Sequence, residues 1–131
     1  MKALLVGIHL SILLAGAAYA GALDRPAYNK TIGVQQLAQA YEENEFTADQ
    51  RYKGQALAIS GTIEEITKGE GDIPVVALRV SRMERVLDLR CYFANMAGFA
   101  NLKAGGQINV RGVVDGMRGY HLVVKNCALV R

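Results

Sequence analysis

The chain has 131 residues, of which 51% are hydrophobic, and a formal net charge of +3 from 15 basic and 12 acidic side chains. This length indicates one domain, and the apolar fraction is enough for a small core without structural metals. This net charge is small for a protein that binds nucleic acid by neutralising many phosphates. We expect no cofactor.

The first 20 residues have the pattern of a signal peptide. Lys2 supplies the positive charge, residues 3–16 are apolar apart from His9 and Ser11, and Ala18-Tyr19-Ala20 forms a small-x-small cleavage site. We therefore expect cleavage after Ala20 and a periplasmic or secreted mature chain.

Two other arrangements of this segment stay open. Residues 3–23 contain no charged side chain and are about long enough to span a bilayer, so an uncleaved inner-membrane anchor is the main alternative. A lipoprotein is less favoured, because Ala17 stands where the lipidated cysteine would be.

Charge is distributed unevenly along the mature chain. Residues 21–49 carry a net charge of −3, whereas residues 50–131 carry +5. The basic part could attract an anion, or the two parts could simply pack on each other.

Cys91 and Cys127 are the only cysteines. In an oxidising compartment such a pair predicts a disulfide, and the alternative is two buried free thiols. No Cys-x-x-Cys or His-x₃-His spacing is present, so we expect no metal site.

Residues 21–49 are predicted to form a lead-in and one N-terminal helix. Residues 21–30 show no periodicity, and Thr31 is a plausible N-cap for the amphipathic run that follows. Val34, Leu37, Ala38 and Tyr41 recur at helical spacing in that run. This stripe indicates a face that packs on the rest of the domain. Asn44-Glu45 either ends the run or starts a second short turn through Phe46 to Tyr52.

Residues 50–131 predict a five-stranded domain. The first strand, from about Gln55 to Thr67, alternates with a period of two until Gly61, and Ile66 then resumes the apolar face. A glycine followed by a slipped phase suggests a bulge. The other predicted strands cover residues 73–81, 86–93, 107–115 and 120–130.

The third predicted strand places Leu87, Leu89, Cys91 and Phe93 on its inner face. A short helix is expected within residues 94–102, and a turn at residues 116–119. Five strands with a helix after the third is the order of an OB-fold barrel, in which strands three and five are neighbours. That order brings Cys91 near Cys127. Another small barrel or half-open sheet is the alternative.

Several short motifs resemble one family. They are Tyr52-Lys53-Gly54, Ser60-Gly61-Thr62-Ile63, Arg90-Cys91-Tyr92-Phe93, Leu102-Lys103-Ala104-Gly105, Val110-Arg111-Gly112 and Asn126-Cys127-Ala128-Leu129. Over residues 34–131 the chain resembles the tRNA-anticodon-binding-like (tRNA_anti-like) OB-fold family of exported or membrane-anchored bacterial proteins. The resemblance implies nucleic-acid binding by analogy, although a fold does not carry a function with it.

A candidate ligand face follows from the strand order. OB-folds bind on the outer face of strands two and three and the loops beside it, using aromatic rings for bases and cations for phosphates. The candidate residues here are Arg79, Arg90, Tyr92, Lys68, Arg118 and Tyr120. Asp88, Glu70 and Asp72 oppose phosphate binding.

Catalysis is not expected, because His121 is alone and Glu64-Glu65 point to opposite faces of a strand. The sequence therefore predicts an exported OB-fold binding module that presents the face of strands two and three to an envelope protein. The alternative is a single-stranded nucleic-acid binder that serves DNA uptake or transfer.

Overall fold

The protein is described here from a computed structural model covering residues 31–130. The predicted signal peptide, its cleavage site, the alternative anchor and the lead-in at residues 21–30 lie outside these residues. The regular elements are β1 (Thr31–Gly33), α1 (Val34–Glu43), α2 (Glu45–Tyr52), β2 (Ala56–Lys68), β3 (Pro74–Arg79), β4 (Asp88–Phe93), β5 (Gln107–Arg118) and β6 (His121–Leu129). Within residues 31–130, no helix has the length and apolar character needed to cross a membrane.

Five of the strands close into a barrel of OB-like form. The order is β2-β3-β4-β6-β5, and β5 pairs with β2 to complete the circle. The β4–β6 pair is parallel and the other pairs are antiparallel, so the predicted third and fifth strands are neighbours. The predicted class, mainly β with a closed five-stranded barrel, is confirmed.

The long strand β2 serves both halves of the barrel. Residues 56–62 pair with β5, and the remainder of the strand pairs with β3 after a register shift between Ile63 and Glu65. The predicted bulge is therefore present, but two to three residues later than Gly61. The glycine has a different role, because a Cβ at Gly61 would lie 2.8 Å from Cγ1 of Val34. It lets α1 approach the sheet.

The helical segment differs from its prediction at its start, whereas the second turn from Asn44 to Tyr52 was one of the two predicted alternatives. Thr31 is not an N-cap but the first residue of β1, which adds to β2 in parallel through the pair Thr31 and Ala58. The N-cap of α1 is Gly33, and a break at Asn44 separates α1 from α2. The Asn44 side chain accepts a hydrogen bond from the backbone N–H of Thr47 and so caps the start of α2. Such a side-chain bond competes with the backbone bonding that would continue α1. The predicted stripe on α1 lies in the hydrophobic core.

The loop between β3 and β4 is held by α1. Gln35 donates to the backbone oxygen of Ser81 at 2.7 Å and accepts from its N–H at 3.0 Å. Glu42 accepts from the N–H groups of Glu84, Arg85 and Val86. These bonds satisfy polar backbone groups that no sheet partner reaches.

The start of the predicted third strand is wrong by two residues. Leu87 is 56% exposed and precedes β4, and Val86 is buried in its place. Because the Val86 N–H is bound by Glu42 and the Leu87 N–H by the Tyr120 oxygen, neither residue joins the β3 ladder. The alternation is regular from Asp88 onward, with Leu89, Cys91 and Phe93 buried.

The predicted helix at residues 94–102 is a single 3₁₀ turn, Phe99–Asn101. Gly98 has φ of +84°, a left-handed conformation that interrupts any helix starting before it. The Phe99 ring packs edge-on against Phe93 with centroids 4.6 Å apart. This contact fixes the connection to the end of β4. The turn predicted at residues 116–119, between β5 and β6, is shorter than predicted because β5 continues to Arg118.

Cys91 and Cys127 are both buried and are free thiols in the structure. Parallel pairing of β4 with β6 places them close together, and Cys127 also donates to the Val124 oxygen at 3.4 Å. The hydrogen bond with Cys127, together with burial, raises the pKa of the Cys91 thiol well above its ordinary value. The disulfide stays a prediction, with the two residues on adjacent strands.

Candidate functional site

The outer face of β3, β4 and β6 has an apolar floor. Val75, Ala77 and Val123 are only 9%, 8% and 6% exposed, yet they are not part of the central core cluster. Cross-strand partners explain their burial, because Val75 lies opposite Tyr92 and Ala77 opposite Arg90. Long side chains on β4 thus cover small apolar residues on the neighbouring strands.

Two open cavities meet on this face. The first, of about 550 Å³, is lined among others by Lys68, Glu70, Val75, Arg90 and Tyr92. The second, of about 380 Å³, is lined by Glu70, Tyr92, Asp115, Arg118, Val123 and Lys125. Tyr92 and Glu70 belong to both. We call the two cavities together the Tyr92 groove, with a β2–β3 side and a β5–β6 side.

Tyr92 is placed to contact a ligand. Its side chain lies on the outer face of β4 because its neighbours Cys91 and Phe93 point into the core. The residue is 41% exposed, although it is central in a strand that is paired on both sides. An exposed ring above an apolar floor can stack on a flat group.

Three of the cations around the groove, Arg90, Arg118 and Lys125, pair with carboxylates. Arg90 lies 3.5 Å from Asp88, which also contacts Nδ1 of His121 at 2.7 Å. Asp115 accepts from Arg118 at 2.8 Å and lies 3.2 Å from Lys125. The arginine and lysine charges are therefore largely balanced by carboxylates when no ligand is bound.

The pairs around Asp115 affect its titration. The hydrogen bond from Arg118 lowers the pKa of Asp115, and Lys125 acts in the same direction, so that together they outweigh desolvation. Asp115 is consequently a carboxylate at neutral pH and keeps both cations at the β5–β6 side of the groove.

The structure brings four of the six candidate residues to the groove: Lys68, Arg90, Tyr92 and Arg118. Arg79 lies outside both cavities and pairs with Glu64 at 2.5 Å. Tyr120 is also outside them, 60% exposed in the turn before β6. The binding roles of all six stay predictions.

Sequence reasoning did not include the contribution of β6. Val123 and Lys125 line the β5–β6 side because β4 pairs directly with β6. Their alternation with the buried residues Leu122 and Val124 was a usable signal, because the predicted strand order already placed the fifth strand beside the third.

Another concavity, of about 500 Å³, lies between the 94–106 connection and the ends of β5 and β6. Its lining includes Phe93, Leu102, Asn109 and Leu129, and none of its lining residues carries a charged side chain. Among residues 31–130, no group of three or more His, Cys, Asp or Glu side chains is placed to hold a metal ion.

Comparison with known proteins identifies the family. The tRNA_anti-like family model matches residues 2–128, nearly the whole sequence. The chain belongs to the tRNA_anti-like family. This result confirms the resemblance carried by the short motifs. No curated protein matches the chain.

A solved structure supports the fold of this tRNA_anti-like protein. It is a crystal structure from Klebsiella pneumoniae subsp. pneumoniae, described as a "putative nucleic acid-binding lipoprotein". The TM-score is 0.58 at 20% sequence identity, over 78% of this chain and 92% of that one. At this identity the similarity concerns the fold.

Proposed function

We propose that this protein is an exported, non-catalytic OB-type binding module that takes single-stranded nucleic acid in the Tyr92 groove. The observation that carries the proposal is the exposed Tyr92 ring at the junction of the two cavities. Lys68, Arg90 and Arg118 surround it with cationic groups.

The chemistry of the groove suits a short stretch of single strand. Stacking of a base on an aromatic side chain contributes about 1–3 kcal/mol and is tolerant of sequence. Val75 and Val123 provide an apolar surface in the two cavities that Tyr92 shares. One or two bases beside Tyr92 are therefore the expected contact.

The paired charges do not forbid phosphate binding. The Arg118 side chain is 73% exposed and that of Arg90 38%, and exposed ion pairs contribute only about 0–1 kcal/mol. A phosphate can exchange for a carboxylate partner at small cost. Each arginine then gains a ligand contact that depends on salt.

The comparisons also support this proposal over the predicted envelope partner. The chain belongs to the tRNA_anti-like family, and the Klebsiella protein with the same fold is described as nucleic acid-binding and as a lipoprotein. The description as a lipoprotein agrees with export, which the pattern of residues 1–20 predicts independently.

A protein segment is the second candidate ligand, and the charge pairing favours it. Asp88 and Asp115 balance Arg90 and Arg118, so the groove has little net positive charge for a polyanion. Tyrosine and arginine are also enriched in protein interfaces. Such a ligand, from the cell envelope, would bind with little dependence on salt.

Fluorescence anisotropy with labelled single-stranded oligonucleotides tests the proposal. We expect binding that weakens with added salt, and loss of most affinity in Tyr92→Leu and Arg90→Ala. Phe46→Leu is the control, because it removes an exposed aromatic ring from α2, outside the groove. Absence of binding at low salt, or equal losses in the Tyr92 and Phe46 variants, contradicts the proposal.

A further inference from the structure

Glu70 occupies a distinctive position in the Tyr92 groove. It shares with Tyr92 the property of lining both cavities. It is the first residue of the tight turn Glu70–Asp72 between β2 and β3, in which Gly71 and Asp72 have positive φ values of 65° and 61°. The turn is closed by two backbone hydrogen bonds, Gly69 N–H to the Ile73 oxygen at 2.7 Å and Ile73 N–H to the Glu70 oxygen at 3.3 Å. Glu70 is thus carried by a defined turn.

The Glu70 carboxylate differs from those of Asp88 and Asp115, which pair with cations around the groove. Asp88 and Asp115 are engaged by His121, Arg118 and Lys125. Within residues 31–130, no side chain or backbone group forms a hydrogen bond or ion pair with the carboxylate of Glu70. It is an exposed acceptor at the edge of an aromatic site.

An ionised carboxylate accepts hydrogen bonds and donates none. Cytosine, adenine and guanine carry exocyclic amino groups that donate, whereas thymine and uracil carry none and present a carbonyl oxygen where cytosine has its amino group. A base stacked on Tyr92 therefore meets either an attractive or a repulsive partner in Glu70. The same charge keeps phosphates away from this edge and towards Lys68 and Arg90.

We propose that Glu70 is a specificity-determining residue that selects bases with an exocyclic amino group, which are cytosine, adenine and guanine, over thymine and uracil. This inference rests on the proposed function, because it requires that a nucleic acid occupies the groove. Stacking on Tyr92 alone would tolerate any base. The inference adds to the proposed function that Glu70 makes the site prefer some bases over others.

The test compares binding of oligo-dC, oligo-dA and oligo-dT to the mature protein by anisotropy at constant salt. We expect dC and dA to bind about fivefold more tightly than dT, at the lower end of the discrimination typical of one base contact. In Glu70→Met the preference should disappear, while binding to all three persists.

Asp72→Asn is the matched control. The substitution removes a negative charge from the same turn, but Asp72 lines neither cavity. Asparagine also tolerates the positive φ of 61° at this position. The control should raise all affinities together and keep the preference. Equal binding of dC, dA and dT by the unmodified protein overturns the inference and leaves the proposed function standing. No binding of any oligonucleotide overturns both.

Discussion

The carboxylate of Glu42 on α1 accepts the backbone N–H of Val86 at 3.0 Å. Val86 is followed by the exposed Leu87 and then by Asp88, the first residue of β4. The contact therefore fixes where β4 begins and which of its residues face outward. Asp88, Arg90 and Tyr92 reach the outer face because the strand enters the sheet in this phase.

Glu42→Gln is expected to lower the Tm by a few degrees. Desolvation opposes ionisation, but the N–H groups of Arg85, Glu84 and Val86 outweigh it and lower the pKa of Glu42. A neutral amide has one acceptor oxygen for these three donors. Circular dichroism melting measures the loss. Glu43→Gln is the control, because within residues 31–130 the Glu43 side chain accepts one hydrogen bond, from the exposed Gln39, which the amide oxygen can keep.

The Glu42 effect should depend on pH in a defined direction. Because its pKa is lower in the folded state than in the unfolded chain, its stabilisation is complete above the unfolded pKa of about 4.3. It is lost as the pH falls through the lowered folded value. The difference in Tm between wild type and Glu42→Gln should therefore shrink in acid. A difference that grows below pH 4 would contradict this account.

Gly61→Ala should destabilise the protein by about 1–3 kcal/mol, the usual cost of overpacking a core. The added methyl would lie 2.8 Å from Val34 Cγ1 and 3.3 Å from Leu78 Cδ1. Val34→Ala removes the first of these atoms. In a urea-denaturation cycle, the double variant should therefore be less destabilised than the sum of the two single changes. Additive losses would show that Gly61 does not serve the approach of α1.

Alternation predicted most of the barrel because it depends on local sequence. The inward residues Val110 and Val114 and the outward residues Arg90 and Tyr92 followed directly from the period of two. The start of β4 was not predictable in this way, since it depends on Glu42, over 40 residues earlier in the chain. The contribution of Val123 and Lys125 to the groove, by contrast, was within reach of the sequence, because the predicted order already placed the fifth strand beside the third.

The predicted disulfide can be tested directly in protein isolated without reductant. Alkylation after denaturation should label neither Cys91 nor Cys127, and reduction should then lower the free energy of unfolding by about 3–4 kcal/mol on the chain-entropy model. Cys91→Ala/Cys127→Ala should be unaffected by reductant. Two labelled cysteines without reduction would establish the buried thiol pair instead.

Asp115→Asn should strengthen oligonucleotide binding several-fold and steepen its dependence on salt. Asp115 holds both Arg118 and Lys125, so its neutralisation leaves two cations available to phosphates. The loss of the two ion pairs should cost less than about 1 kcal/mol each. Glu84→Gln removes one charge from the β3–β4 loop, outside the groove, and is the control. Equal gains from both variants would indicate a general charge effect.

The most direct test of the central claim is ¹H–¹⁵N NMR mapping of the mature protein titrated with a short single-stranded oligonucleotide. The account predicts that amide shifts concentrate around Lys68, Glu70, Arg90, Tyr92 and Val123, with little change along α1 or near Asn109. Shifts that concentrate at α1 or at the 94–106 connection, or no shifts at low salt, would contradict it.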